Sequence, residues 1–339
     1  MTTSRVAAID CGTNSIRLLV ADLTVSDSAS GAGAVFDSAS GAGGTGALTE
    51  LDRRMEIVRL GQGVDRTGRL APEALERTFA ACRRYAEVIA SFGVPPERTR
   101  FVATSASRDA ENREEFVSGV LDILGVEPEV ITGDQEADFS FTGATKELAT
   151  GTFAPPYLVV DIGGGSTEFV LGTEGVEAAR SVDIGCVRLT ERHLTVDGAL
   201  TETPTEAQVD AIRADVSAAL DEVARTVPLE RARTLVGLAG TVTTLGGIAL
   251  DLDAYDSSRI HHTRISRSRV RELTDRLLTA THDERAAIPV MHPGRVDVIN
   301  AGALVLLTIM ERIGAEEVVV SEHDILDGIG FKVAADAAG

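Results

Sequence analysis

Two stretches of this 339-residue chain place the same residue types at the same spacing. Asp10-Cys-Gly12-Thr13-Asn14-Ser15 and Asp161-Ile-Gly163-Gly164-Gly165-Ser166 both read Asp-x-Gly-x-x-Ser, 151 residues apart. A glycine-bearing turn between two strands can aim several backbone N–H groups at one spot, which makes an anion site. The hydroxyls of Thr13, Ser15, Ser166 and Thr167 add donors. An aspartate closing the preceding strand, Asp10 or Asp161, can hold a metal that bridges to phosphate oxygens. One such turn is ordinary hairpin chemistry; two in matching frame favour function. Asp161 and Glu168 lie seven residues apart across the second turn and can share a Mg²⁺, which needs few carboxylates besides water and phosphate oxygens. Glu168 can equally be a solvent-facing strand residue, and the spacing leaves both readings open.

Three further features carry possible chemistry. Glu136 falls in the first turn of an expected helix, where an acid complements the helix dipole or serves as a general base within reach of a water. Arg108 follows a strand end, where it can reach a phosphate bidentately or make a surface ion pair of little worth. Six arginines and two histidines lie between Arg259 and Arg276, against only Glu272 and Asp275. They form either a basic channel for a polyanion or a solvated helix face. Cys11 adjoins the first turn, but with no base partner in sight a buried thiol is the simpler reading. Walker A, Gly-x-Ser-x-Gly and His-Glu-x-x-His patterns are absent, and no Rossmann Gly-x-Gly-x-x-Gly follows an expected strand.

These residues need elements to position them. Val6–Asp10 and Ile16–Asp22 are expected as a strand pair around Gly12 to Ser15. A low-complexity stretch, 26–46, follows as a mobile loop that carries no catalysis. Beyond it, strands are expected at 56–60, 100–104 and 127–132, and helices at 72–92, 111–124 and 134–148. The hairpin pattern then returns at 158–172. A helix at 205–227, a strand at 234–238 and a Gly240-Thr241 turn entering another helix come next. Helices at 267–278, 300–313 and 325–335, with a strand at 318–320, complete the chain. Alternating strands and helices argue for α/β. The repeated hairpin argues for two similar domains whose turns face a common cleft. The expected division is 1–132, 133–327 and a helix end, 328–339, packing back on the first domain.

Composition sets the limits. Acidic residues outnumber basic ones 52 to 32, a net charge of −20, which excludes wholesale nucleic-acid coating. Lys146 and Lys332 are the only lysines. The longest apolar stretch, 301–310, is about half a membrane span. Three scattered cysteines and no apolar leader point to a cytoplasmic protein that binds neither nucleic acid nor membrane.

Together the motifs resemble the Ppx/GppA phosphatase family, which comprises exopolyphosphatases and guanosine pentaphosphate phosphohydrolases within the actin/hexokinase/Hsp70 superfold. The resemblance rests on Ala8-Ile-Asp10-Cys-Gly12-Thr-Asn14-Ser15-Ile-Arg17, Ala103-Thr-Ser-Ala-Ser-Arg108-Asp-Ala-Glu-Asn112, Gly133-Asp-Gln-Glu136-Ala137 and Val160-Asp161-Ile-Gly-Gly-Gly-Ser-Thr-Glu168. Gly237-Leu-Ala-Gly240-Thr241 and Arg295-Val-Asp-Val-Ile299 follow in order. It implies two actin-like (ribonuclease H-like) domains with a cleft between them. It implies Glu136 as the base that activates water, and Arg108 as a phosphate-contacting catalytic arginine. Asp161 and Glu168, with Asp10, would be the acids for Mg²⁺ (Mn²⁺ as an alternative). Gly12 to Ser15 with Arg17, Gly163 to Thr167, and Gly240-Thr241 would bind substrate phosphate. The expected activity is hydrolysis of the terminal phosphate of inorganic polyphosphate. The alternatives are guanosine pentaphosphate as substrate, or a non-catalytic sensor. A homodimer of the short, two-domain form is expected. Two departures stand out: Gln135 replaces a common acid, and Ile325-Leu326-Asp327-Gly328 lacks the family's arginine.

Overall fold

The computed structural model describes residues 2–25, 46–146, 148 and 153–336. The expected loop at 26–46 falls outside them except for Gly46, where a strand begins. Chain contacts group into two compact units. One is Met1–Lys146 with Glu174–Val176 and Ile325–Gly339; the other is Glu147–Thr173 with Glu177–Asp324.

The first unit is built on a five-stranded sheet of order β3-β2-β1-β4-β5. Its strands are β1 (Thr2–Cys11), β2 (Ser15–Val25), β3 (Gly46–Ile57), β4 (Thr99–Ala103) and β5 (Glu129–Val130). The helices are α1 (Val64–Thr67), α2 (Pro72–Ser91), α3 (Ser105–Asp109), α4 (Arg113–Leu124), α5 (Gly133–Thr145) and the last of the chain, α13 (Ile325–Asp336). Side chains alternate across a strand, and the apolar residues of β1 and β2 sort accordingly. Ala7, Ile9, Cys11, Ile16, Leu18 and Val20 enter the core under α2 and α4. Val6, Ala8, Leu19, Ala21 and Leu23 enter a second core with Phe139 of α5 and Ile325, Leu326 and Ile329 of α13. Helix α5, which the sequence assigns to the second domain, therefore packs on the first unit's sheet beside α13. A strand covered on both faces has to be apolar almost throughout, as Val6 to Ile9 are.

The second unit carries a six-stranded sheet, β12-β13-β11-β6-β7-β8, and a separate two-stranded β9-β10 ribbon. The strands are β6 (Tyr157–Ile162), β7 (Thr167–Gly172), β8 (Val176–Val182), β9 (Thr195–Val196), β10 (Ala199–Leu200), β11 (Thr234–Leu238), β12 (Arg264–Ser266) and β13 (Glu317–Val320). The helices are α6 (Cys186–His193), α7 (Glu206–Val223), α8 (Ala239–Ala249), α9 (Ser257–Ile260), α10 (Arg267–Thr279), α11 (His282–Ala286) and α12 (Ile299–Ile313). Without the short β12, the sheet repeats the first: an antiparallel hairpin and third strand, then two strands added parallel on the other side. The α/β class and the two similar sheets agree with expectation. The apolar run 301–310 is the buried heart of α12. Among the described residues no helix is long and apolar enough to cross a membrane.

Several elements differ from expectation. β3 spans 46–57 rather than 56–60, because it pairs with β2 along its whole length, from Gly46 opposite Val25 to Ile57 opposite Ser15. Its exposed, polar sequence hides this from any hydrophobicity pattern. The same holds for the largely uncovered β8. The helix expected at 111–124 is α4, and a short helix outside that expectation, α3, precedes it, the two separated at Ala110, whose ψ of 131° is extended.

Candidate functional site

The first turn lies between Cys11 and Ser15, closed by Gly12 N–H donating to Ser15 O at 2.9 Å. The segment after β3 backs it. Gly61 N–H donates to Thr13 O, and Val58 and Arg59 N–H both donate to Asn14 O. In a planar trans peptide the C=O and N–H point in opposite directions. The N–H groups of Asn14 and Ser15 therefore face away from that backing segment. Thr13 Oγ1 and Ser105 Oγ, at the start of α3, share a hydrogen bond of 2.8 Å.

Asp10 and Arg17 are directly opposite in the β1–β2 register, so their side chains share a face. Arg17 Nε and Nη2 donate to Asp10 Oδ2 at 3.0 and 2.6 Å. Asp10 thus meets a cation supplied by its own hairpin. On the same face of the sheet, the start of α5 carries Glu136. Its carboxylate accepts from Arg108 Nη1 at 3.2 Å, and the same nitrogen donates to Ile131 O at 3.0 Å. Glu136 is buried while Arg108 remains about a quarter exposed. The pair fixes the carboxylate's orientation. Gln135 belongs to a capping box, with Thr132 N–H donating to its Oε1 and its own N–H donating to Thr132 Oγ1. A glutamine fills that role as well as a glutamate, so the departure at 135 keeps the helix start that presents Glu136. Cys11 is fully buried, and burial, then Cys82 and Asp10, push its thiol well above the ordinary range. That excludes a ready thiolate nucleophile.

The second turn repeats the closure: Gly163 N–H donates to Ser166 O at 3.1 Å. Its backing is the N-terminus of α6. Cys186 N–H donates to Gly163 O, Val187 and Arg188 N–H to Gly164 O, and Gly185 N–H to Gly165 O. With three successive carbonyls turned to α6, the N–H groups of Gly164, Gly165 and Ser166 turn the other way. Among the described residues, no hydrogen bond uses any of those three amides. This is the geometry of an anion nest. The approach is close because Gly185 lacks a side chain; a Cβ there would sit on the Gly164 carbonyl. Thr167 Oγ1 donates to Ile184 O at 3.0 Å, so this hydroxyl ties the turn to its backing.

Asp161 and Glu168 are opposite one another in the β6–β7 register, and both are buried, to 7% and 1% exposure. Glu168 accepts from Ser181 Oγ of β8 at 2.7 Å. Two hard oxygen donors on one face suit Mg²⁺, which fills its remaining positions with water and phosphate. Among the described residues no group of three or more His, Cys, Asp or Glu is set to hold a metal.

Gly240 and Thr241 open α8, where Arg295 Nη1 donates to Gly240 O and to Thr244 Oγ1. The basic cluster at 259–276 is largely neutralised. Arg264, Arg267 and Arg271 pair with Glu317, Glu316 and Glu311, and Arg269 with Glu272. It is a solvated ion-paired surface, and the basic channel is not formed there. Residues that sequence reasoning missed are Ser105, Ser181 and Arg188, each defined by a partner far along the chain. Arg295 was visible only as a motif residue.

Two sheets of one topology, each with an aspartate next to last in its first strand and a turn that sets amides outward, define an α/β protein with a duplicated hairpin turn suited to anions. The chain belongs to the Ppx/GppA phosphatase family, whose model matches residues 35–335. It is 49% identical to exopolyphosphatase 2 of Mycobacterium tuberculosis, over 98% of this chain and all of that protein. It is 28% identical to the guanosine-5'-triphosphate,3'-diphosphate pyrophosphatase of Aeromonas hydrophila, over 95% of this chain and 58% of that one. Among solved structures, an exopolyphosphatase-like protein superposes with a TM-score of 0.87 at 41% identity, covering 98% of this chain and 100% of the other.

Proposed function

We propose that this chain is an exopolyphosphatase, hydrolysing the terminal phosphoanhydride bond of inorganic polyphosphate. The observation that carries the reading is the second turn, with three successive outward amides beside the buried Asp161–Glu168 pair. An anion nest next to two metal-type carboxylates matches a chain of phosphates better than any neutral substrate. The exopolyphosphatase relative at 49% identity supports the same substrate.

Asp161 and Glu168 would hold Mg²⁺, or Mn²⁺. A bound divalent ion supplies charge neutralisation on phosphate oxygens. Ser181 orients Glu168 for this through its 2.7 Å hydrogen bond. The amides of Gly164, Gly165 and Ser166 bind phosphate oxygens, with the first turn and Gly240-Thr241 as further phosphate contacts. Glu136, oriented by Arg108, accepts a proton from the attacking water. As water oxygen bonds to the terminal phosphorus, the bridging P–O bond breaks and the shortened chain leaves with its electron pair. Asp10 holds Arg17 rather than a metal.

The test is phosphate release by the purified chain with Mg²⁺ on short polyphosphate, long polyphosphate, guanosine pentaphosphate and ATP, with Glu136→Gln alongside. Release from polyphosphate that vanishes in the variant is expected. Preference for guanosine pentaphosphate would replace the substrate, in line with the more distant relative at 28% identity. Normal turnover by Glu136→Gln would remove it as the base.

A further inference from the structure

The second turn has a cation behind it. Arg188, in the first turn of α6, donates from Nε to Gly165 O at 2.8 Å. The same carbonyl accepts from Gly185 N–H at 3.1 Å. Arg188 is only 13% exposed, and Asp183 lies 3.6 Å from it. Its guanidinium lies on the α6 side of the turn, opposite to the side the amides face.

The peptide that Arg188 touches joins Gly165 to Ser166. Donation from a charged group to its carbonyl polarises the whole amide, and hydrogen bonds in such a chain strengthen one another. The atom at the other end of that peptide is the Ser166 N–H, one of the three outward donors. In the first turn, Thr13 O and Asn14 O accept from the neutral amides of Gly61, Val58 and Arg59.

We infer that Arg188 is a positioning residue for phosphate recognition, acting through the Gly165 carbonyl to orient and strengthen the Ser166 N–H as an anion donor. This rests on the second turn being a phosphate site, as in the proposed function. It does not need Arg188 to touch the ligand.

The experiment measures binding of inorganic phosphate by calorimetry for the full chain and for Arg188→Met, Arg188→Gln and Arg188→Lys, with each melting temperature. Met keeps the apolar stem, Gln keeps a neutral N–H, and Lys keeps the charge. Phosphate affinity is expected to fall about five- to tenfold in Met and Gln, the effect of losing one charge-assisted contact at second hand. Lys should recover most of it, with melting temperatures little changed. Wild-type affinity in Met or Gln would overturn the inference, as would Lys binding as weakly as Met. Should Met fail to fold, Gln and Lys decide the matter. A wild-type chain that does not bind phosphate overturns it too. A wild-type chain that binds phosphate but releases none from polyphosphate removes the proposed function alone, and the affinity series still decides Arg188.

Discussion

The two hairpins share a frame and differ in what stands opposite the aspartate. Across from Asp10 the first hairpin places Arg17; across from Asp161 the second places Glu168. The first pair is a two-point ion pair, so its charge is balanced within the hairpin. The second sets two buried carboxylates on one face, an arrangement that like-charge repulsion disfavours unless a cation is shared. The backing differs as well. The first turn leans on an irregular segment through neutral amides, the second on a helix N-terminus with an arginine behind it. One duplicated element thus yields a hairpin whose aspartate faces an arginine and a hairpin whose aspartate faces a second carboxylate.

The largest expected effect tests the backing. Gly185→Ala puts a methyl on the Gly164 carbonyl and the Gly165 nitrogen, so the second turn has to move. Misplacing reactive geometry by about an ångström costs on the order of a hundredfold in rate, which assays of polyphosphate hydrolysis will read. Gly61→Ala meets the side chains of Thr13 and Ala106 rather than the backbone of the turn, and should cost less. Equal losses would erase the contrast.

Next comes the carboxylate pair. Asp161→Asn and Glu168→Gln should each raise the Mg²⁺ concentration for half-maximal activity by at least about tenfold, since even outer-shell partners contribute that much. Asp10→Asn should leave that titration unchanged, and a shift would place Asp10 at the metal after all. The same variant should instead lose about 2 kcal/mol of stability in urea melts. It removes the charge that Arg17 meets at Asp10, and the cost is reduced because Arg17 is one-fifth exposed.

The smallest effect concerns the far end of the first hairpin, where Arg5 Nε and Nη2 donate to Asp22. The Arg5 hydrogen bonds, against a small burial effect, hold the Asp22 carboxyl below its usual range. A depressed carboxyl contributes stability above its unfolded pKa of about 3.8–3.9 and loses it as pH falls through the folded value. Asp22→Asn should therefore narrow the stability difference between neutral and strongly acidic pH by a small amount. The second hairpin has Pro156 and Thr173 at the corresponding positions and lacks this acid sensitivity.

Much of the site was legible in the residues. Asp-x-Gly-x-x-Ser occurs twice in one frame, and both copies form turns closed by the same glycine-to-serine hydrogen bond. The seven-residue spacing of Asp161 and Glu168 left open which way Glu168 points; the β6–β7 register puts it beside Asp161 and buries it. The arginine-rich stretch illustrates the opposite limit. Its charge looked available because the acids that neutralise it, Glu311, Glu316 and Glu317, lie about 40 to 53 residues away.

The sequence alone determined the α/β class, the duplicated hairpin and the types of residue at each turn, because these depend on local spacing and on the two-residue period of strands. Only the tertiary structure decided which partner each of those residues meets. Arg17 stands at Asp10, Arg108 at Glu136, Ser181 at Glu168 and Arg188 at Gly165. Such pairings depend on strand register across 7 and 13 residues and on docked helices across 23 and 28. Side-chain partners at those separations are set by packing, which no local pattern encodes.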